Sequence, residues 1–393
     1  MGSLLAGLLF LGLVTSTTGM VRAPQLQQAG REPSPFTADF YATPNQRVGV
    51  GLIPGVIITV DGEIRRAAIT DYDVGPLHIG WYCNWNTAED PPRPDGMRFV
   101  QLVRIRPSLY PTNTQEITAA VAANPGSLWI IGNEPEARYN QGNRTPATYA
   151  EIYHDLYMCI KGTPDVPGLD PTAWIAIGGV IQPTPLRLQW LDMVLEAYVS
   201  RYGDEMPVDV WNTHVQILQE KAATVSDPLP WGAAIPAGLD APEGRLYTLL
   251  DNGDPAVFRQ LVTEFRQWMK DRGFQDKPLI ISEYGVIMPS SYIVEGGDPA
   301  RGDRKVTEFM LETFDWLLTT HDADLGYPAD GDRLVQQWMW FSLNSHYNGA
   351  LFNNVDPKVI TPFGRAFRGY MWKLLGLMRT ISLPVVVRDA VGR

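Results

Sequence analysis

From Val48 onward the sequence repeats one pattern about eight times, a short apolar run followed in most cases by an amphipathic stretch. The runs cover 48–53, 77–83, 99–105, 128–132, 174–180, 208–215, 278–284 and 336–343. Apolar runs of this length, alternating with helical stretches, are the mark of a parallel sheet buried on both faces. Eight such strands close on themselves. The predicted fold class is therefore α/β, a single (β/α)8 TIM barrel spanning residues 47–380.

The helices fall between the runs, over 114–123, 146–161, 185–202, 255–272, 304–320 and 363–377. Thr145-Pro146 and Asp254-Pro255 place a capping oxygen just before a proline at the first helical position. Two links depart from the pattern. Residues 86–98 contain Pro91, Pro92 and Pro94, which excludes a helix between the second and third strands. Residues 217–254, rich in Gly, Pro and Ala, form a long loop after the sixth strand, and long loops after barrel strands belong to the binding face. There is no repeat of solenoid or propeller length.

Outside the barrel, residues 1–22 contain the apolar run 4–14 and are read as an export signal or an uncleaved N-terminal anchor. Residues 23–46 read as a linker and 381–393 as a C-terminal tail. A secreted or extracytoplasmic protein is expected, with no membrane contact beyond such an anchor. The 43 acidic residues against 32 basic ones give a net charge of −11, which argues against nucleic acid as a partner. Cys83 and Cys159 have no metal-site spacing, and whether they pair is open. With no phosphate loop, dinucleotide fingerprint or metal cluster in the sequence, no cofactor is implied.

Two carboxylates stand out by position. In Ser127-Leu-Trp-Ile-Ile-Gly-Asn-Glu-Pro135, Asn133 and Glu134 end an apolar strand, and Glu283 does the same in Lys277-Pro-Leu-Ile-Ile-Ser-Glu-Tyr-Gly285. The carboxyl ends of all barrel strands converge on one rim, so these two face each other across its mouth. A pair of carboxyls in different environments, one protonated and one ionised, suits cleavage of a glycosidic bond. Taken singly, either Glu could equally cap a helix or pair with an arginine.

With Asn-Glu-Pro at the fourth strand and Glu at the seventh, the chain resembles the clan A retaining glycoside hydrolases with (β/α)8 barrels. The resemblance implies that Glu134 is the acid/base, Glu283 the nucleophile and Asn133 the partner of the sugar 2-hydroxyl. Within that clan, Gly80-Trp-Tyr-Cys-Asn-Trp85, Phe99-Val-Gln-Leu, Leu188-Gln-Trp-Leu-Asp192 and Asp209-Val-Trp-Asn-Thr-His214 are most similar to glycoside hydrolase family 128, a group of endo-β-1,3-glucanases. These islands are spread over residues 47–375. The chain departs from the group in His214-Val-Gln216, where His-x-Tyr is usual, leaving Tyr284 to supply an aromatic hydroxyl. It departs again in Arg104-Ile-Arg106, where Trp-Gly is usual.

His214, Tyr284, Trp340, Trp81, Tyr82, Trp85 and Arg104 join Asn133 as expected substrate-binding residues. Core packing is the competing role for the aromatics and a salt bridge for Arg104 or Arg106. Trp338 is assigned to the core, Phe341 to the strand end beside Trp340, and Trp231 and His346 to the loops around the groove. Glu151 and His154 have di-iron spacing without a second copy, so they read as surface. Asn143-Arg-Thr145 fits a glycosylation sequon. The sequence thus points to a retaining glycoside hydrolase acting on a β-linked polysaccharide or oligosaccharide, with a non-catalytic glycan-binding barrel or a transglycosylase as alternatives.

Overall fold

The computed structural model describes residues 40–377 except Asp61, Pro111, Asn140 and 225–230. The expected signal or anchor and the C-terminal tail lie outside the described residues, as do residues 23–39 of the linker. Eight strands line the centre: β1 (Val48–Gly51), β2 (Trp81–Cys83), β3 (Arg98–Phe99 continuing as Gln101–Val103), β4 (Leu128–Asn133), β5 (Trp174–Gly179), β6 (Trp211–Val215), β7 (Leu279–Tyr284) and β8 (Gln337–Trp340). Each pairs in parallel with the next, and β8 returns to β1 through Val48–Trp338 and Val50–Trp340. The two halves of β3 are shared, Phe99 pairing with Tyr82 of β2 and Gln101 with Trp129 of β4. Bridges Ala176–Val210 and Val180–Thr213 join β5 to β6, and the His214 amide donates to Val180 O at 2.8 Å. The circuit is closed, and the architecture is the (β/α)8 barrel that the spacing predicts.

Among the described residues, six α-helices of ten residues or more cover the outside: α1 (Thr114–Ala123), α2 (Pro146–Ile160), α3 (Pro185–Tyr202), α4 (Pro255–Asp271), α5 (Pro299–Thr319) and α6 (Pro362–Leu374). All but α1 begin with proline, whose missing N–H costs nothing in the first turn. Thr145, Asp254, Asp298 and Thr361 accept the first free amides. The fifth helix starts five residues before its amphipathic pattern suggests, at a second Asp-Pro pair, Asp298-Pro299. No α-helix follows β1 or β2 among the described residues. An antiparallel hairpin, Ile57–Val60 with Glu63–Arg66, follows β1, and the proline-rich segment after β2 has only a short 3-10 turn.

Alternation sorts side chains between two apolar layers. Trp81, Leu102, Ile130, Ala176, Ile280 and Met339 fill the barrel interior, whereas Tyr82, Trp129, Ile177, Trp211, Ile281 and Trp338 face the helices. The Val-Gly-Val-Gly of β1 explains how two tryptophans fit inside. A Cβ on Gly49 would lie 2.5 Å from the Trp81 indole, and one on Gly51 would lie 2.4 Å from that of Trp85. Residues 40–46 do not behave as linker. Phe40 and Tyr41 are buried, and Gln337 donates to Phe40 O and Gln46 O at 2.7 and 2.9 Å, so this segment packs against the barrel. Cys83 lies inside the barrel and Cys159 on α2, and both are free thiols.

Candidate active site

At the carboxyl ends of the strands the packing rules change. Inward alternation on β6 runs Asn212, His214, Gln216, ending the strand with three polar side chains where an interior position normally takes an aliphatic one. On β7 the register slips between Ile281 and Glu283 against β6, a bulge that lets both Ser282 and Glu283 face the centre. On β4, Gly132 (φ 91°) and Glu134 (φ 43°) both take left-handed backbone. Glu134 is held there from both sides, its amide donating to Gly179 O at 3.1 Å and its carbonyl accepting from Ala137 and Gly142. Trp85 beyond β2 has the same unusual backbone, φ 56°. Strained non-glycine residues persist where surrounding bonds over-determine them, and they cluster at functional sites.

These distortions bring six side chains together. Glu134 Oε1 lies 3.1 Å from His214 Nδ1, and His214 Nε2 lies 3.1 Å from Ser282 Oγ. Gln216 Nε2 donates to Glu283 Oε1 at 2.8 Å, and the Trp85 indole N–H donates to Oε2 at 3.1 Å. One oxygen of each carboxylate and one nitrogen of His214 lie within 4.8 Å of one another. Gly179 makes room for the imidazole, since a Cβ there would sit 2.6 Å from the ring. Burial raises the Glu283 pKa from the usual 4.5 to about 7; His214 and the two donors oppose this, while the charge of Glu134 adds to it. Burial would lower the His214 pKa, but the charges of Glu283 and Glu134 and the bond to Glu134 outweigh it, so the net shift is upward.

The group sits in a cleft of about 640 Å³, a size suited to several sugar rings. One wall is aromatic: Trp85 meets Phe341 edge-on at 5.7 Å, and Phe341 meets Tyr347 at 5.9 Å. Asn133, Gln141, Arg104, Arg106, Arg138 and Tyr139 line other parts. Asn133 Nδ2 donates to Gln141 Oε1 at 3.3 Å, leaving its own buried carbonyl oxygen without a partner. The long loop after β6 is fixed from below by a buried ion cluster. Arg187 of α3 bonds Glu136 at 3.0 Å, Ala234 O at 3.0 Å and Glu220, while Arg138 donates to Ile235, Pro236 and Leu239 carbonyls.

Glu134, Glu283, Asn133, Trp85 and Arg104 thus line one cleft, and buried His214 reaches it through its bond to Glu134. Four residues expected to bind sugar do not reach it. Trp81 is inside the barrel with its indole N–H on Arg47 O, because two residues of strand separate it from the mouth-level Trp85. Tyr82 points outward, its hydroxyl donating to Pro92 O at 2.5 Å. Tyr284 follows the bulge and also turns outward, 3.2 Å from Thr313 Oγ1 of α5, so it supplies no hydroxyl to Glu283. Trp340 packs edge-on against Tyr284 and donates to Gly349 O at 2.9 Å; the next residue, Phe341, takes the place expected of it. Trp231 packs by a small cluster under the long loop, and His346 is exposed beside Asn354. His154 stacks on Tyr202 between α2 and α3. Gln216, Ser282 and Gln141 were not expected at the site. Gln216 is legible as the next inward position after His214, and Ser282 as the next after Ile280.

Among the described residues, Glu134, His214 and Glu283 are also the one group with the spacing of a metal site. The donors on Glu283 and the Glu134–His214 and Ser282–His214 bonds already engage them, an arrangement suited to sharing protons rather than to ligating a cation. No helix among the described residues is long and apolar enough to cross a membrane.

No family model and no curated protein matches the chain. Solved structures do. A glucosidase from Croceicoccus marinus is 14% identical with a TM-score of 0.50, covering 83% of this chain and 67% of its own. A glycoside hydrolase family 128 (subgroup II) endo-β-1,3-glucanase from Sorangium cellulosum is 14% identical with a TM-score of 0.49, covering 82% and 98%. A family 128 (subgroup VII) oligosaccharide-binding protein from Trichoderma gamsii is 11% identical, with a TM-score of 0.46 over 78% and 93%. The structural neighbours are thus glycoside hydrolases and a relative described as a binder. At these identities the likeness is one of fold.

Proposed function

We propose that this protein is a retaining glycoside hydrolase acting on a β-linked glycan, with Glu134 as acid/base and Glu283 as nucleophile. The observation that carries the reading is the approach of the two carboxylates, oxygen to oxygen within 4.8 Å. Retaining enzymes keep their carboxyl groups roughly 5–5.5 Å apart, whereas inverting ones need roughly 6.5–9.5 Å to admit a water.

The surrounding groups fit these roles. Trp85 and Gln216 each donate to Glu283, fixing its direction of attack and favouring its ionised form. Glu134 delivers the proton to the leaving group, its Oε1 set against His214 Nδ1, with Ser282 on the far nitrogen holding the ring in place. In the first step Glu283 bonds to the anomeric carbon while the C–O bond breaks and the departing oxygen takes the Glu134 proton. In the second, Glu134 takes a proton from water, whose oxygen attacks the same carbon and frees Glu283. Asn133 stands beside Glu134 to meet a sugar hydroxyl, and the Trp85–Phe341–Tyr347 wall offers apolar faces to sugar rings. β-1,3-Glucan is the first linkage to try, on the strength of the sequence motifs, and export is the expectation from residues 4–14.

The test is reducing-end release from β-1,3-glucan, β-1,4-glucan, mannan, xylan and galactan with wild type and Glu283→Ala. Release that vanishes in the variant supports the reading. Folded wild type that retains a glycan on a column but releases nothing overturns it in favour of a binding barrel.

A further inference from the structure

The wall of the cleft beside β3 carries positive charge that no ion pair among the described residues takes up. Alternation continues past Val103: Leu102 faces the interior and Ile105 the outer layer, while Arg104 and Arg106 both line the mouth. Arg104 gives its Nε–H to Trp85 O at 2.6 Å, and the carbonyl of Arg106 caps the turn that follows. Among the described residues neither guanidinium pairs with a carboxylate, in a chain with 43 acids and 32 bases. Buried Arg47 and Arg187 and half-buried Arg245 each have an acidic partner. The charge pressing on Arg104 is instead that of Arg106, which adds to burial in lowering its pKa. Arg138 also lines the cleft, and its three partners are backbone carbonyls, which leave its charge uncancelled.

Hydrogen bonding to neutral hydroxyls does not require this. Two half-buried like charges side by side are costly unless an opposite charge arrives with the ligand. A guanidinium without a protein partner is also a planar fork that matches a carboxylate or sulfate with two parallel bonds. We propose that the glycan bound in this cleft carries an anionic group on the sugar seated beside β3, and that Arg106, with Arg104 behind it, receives that group. The inference rests on the glycosidase reading for the site and adds to it the chemical class of the substrate.

The experiment compares a β-linked oligosaccharide containing glucuronate, the same compound after reduction of its carboxyls to primary alcohols, and a sulfated counterpart of the reduced form. Wild type, Arg106→Gln and Arg106→Lys are each assayed for kcat/KM, and binding is measured by calorimetry in Glu283→Gln at low and high salt. The expected ratio of acidic to reduced substrate is about tenfold to a hundredfold in wild type, near one in Arg106→Gln and between the two in Arg106→Lys. Preference for the carboxylate or the sulfate compound identifies the natural anion. Acidic ligand bound through Arg106 but never cleaved supports charge recognition while removing the hydrolase reading. Neutral glycan cleaved as well as or better than the acidic form, with Glu283 required, overturns this inference and leaves the hydrolase reading standing. Absence of both binding and cleavage overturns it as well.

Discussion

The lower barrel interior and its mouth both bury the side chains that face the barrel axis and are built by opposite rules. Trp81, Leu102, Ile130, Ala176, Ile280 and Met339 fill the first with apolar contacts, while a few ångströms higher His214, Gln216, Ser282 and Glu283 are buried as polar groups on distorted backbone. The difference teaches where stability and chemistry are kept. The interior follows alternation without exception and sets the spacing of the strands. The mouth breaks it at the β7 bulge and at Glu134 and Trp85, where local rules fail in favour of a site.

The widest gap between the regions is expected from the nucleophile. Glu283→Ala should lower kcat/KM on the order of 10⁴-fold or more without lowering Tm, measured by initial rates and thermal unfolding. Its isostere sharpens the point. The native fold raises the Glu283 pKa from 4.5 to about 7, so it binds this proton more tightly than the unfolded chain does. Stability from this group is therefore present at low pH and lost as pH rises from about 4.5 to about 7. Glu283→Gln removes that loss, so its Tm advantage over wild type should be larger at pH 8 than at pH 4.

Ile280, two residues before the bulge, should behave in reverse. Ile280→Ala opens a cavity in the closed interior and should cost about 2–5 kcal/mol in denaturant unfolding, with kcat/KM changed only a few-fold below the melting range. His214→Ala should sit between the two regions, reducing kcat/KM by roughly tenfold to a thousandfold because it frees Glu134 from its proton-sharing partner. A pH profile tests the donors. The acid limb of kcat/KM should fall below about pH 7, where Glu283 becomes protonated. Gln216→Ala removes a donor to the ionised form and should move that limb to higher pH by about one unit. Tyr284→Phe should have the smallest effect, about 1 kcal/mol or less of stability and no shift in the profile, since its hydroxyl meets Thr313 rather than Glu283.

The same contrast sets how much the sequence could reveal. Where alternation and helix periodicity govern, the reading succeeds: the eight strands, the missing second helix and the core place of Trp338 follow from spacing. Asn133, Glu134 and Glu283 were legible because polar residues that end apolar strands point to a rim. Tyr284 and Trp340 misled because each is the neighbour of a mouth residue, and one step along a strand reverses the direction of a side chain. Trp81 faces the right way but lies too deep, and its place depends on Gly49, a cross-strand neighbour that no local pattern announces. Ser282 keeps the inward alternation of Ile280, whereas Glu283 turns inward beside it only through the bulge, which is set by pairing on both sides of β7. The packing of residues 40–46 was hidden for the same reason, since its partners are some 290 residues away.

The central claim is that Glu283 forms a covalent bond to the sugar while Glu134 handles the protons. A β-glycoside of the preferred sugar bearing 2-fluorine and an activated leaving group slows the second step more than the release of that group. Intact-mass and peptide analysis after incubation should find one glycosyl adduct on the 279–284 strand at Glu283, absent in Glu283→Gln. An adduct at Glu134, or rapid turnover to a product of inverted anomeric configuration, would contradict the account.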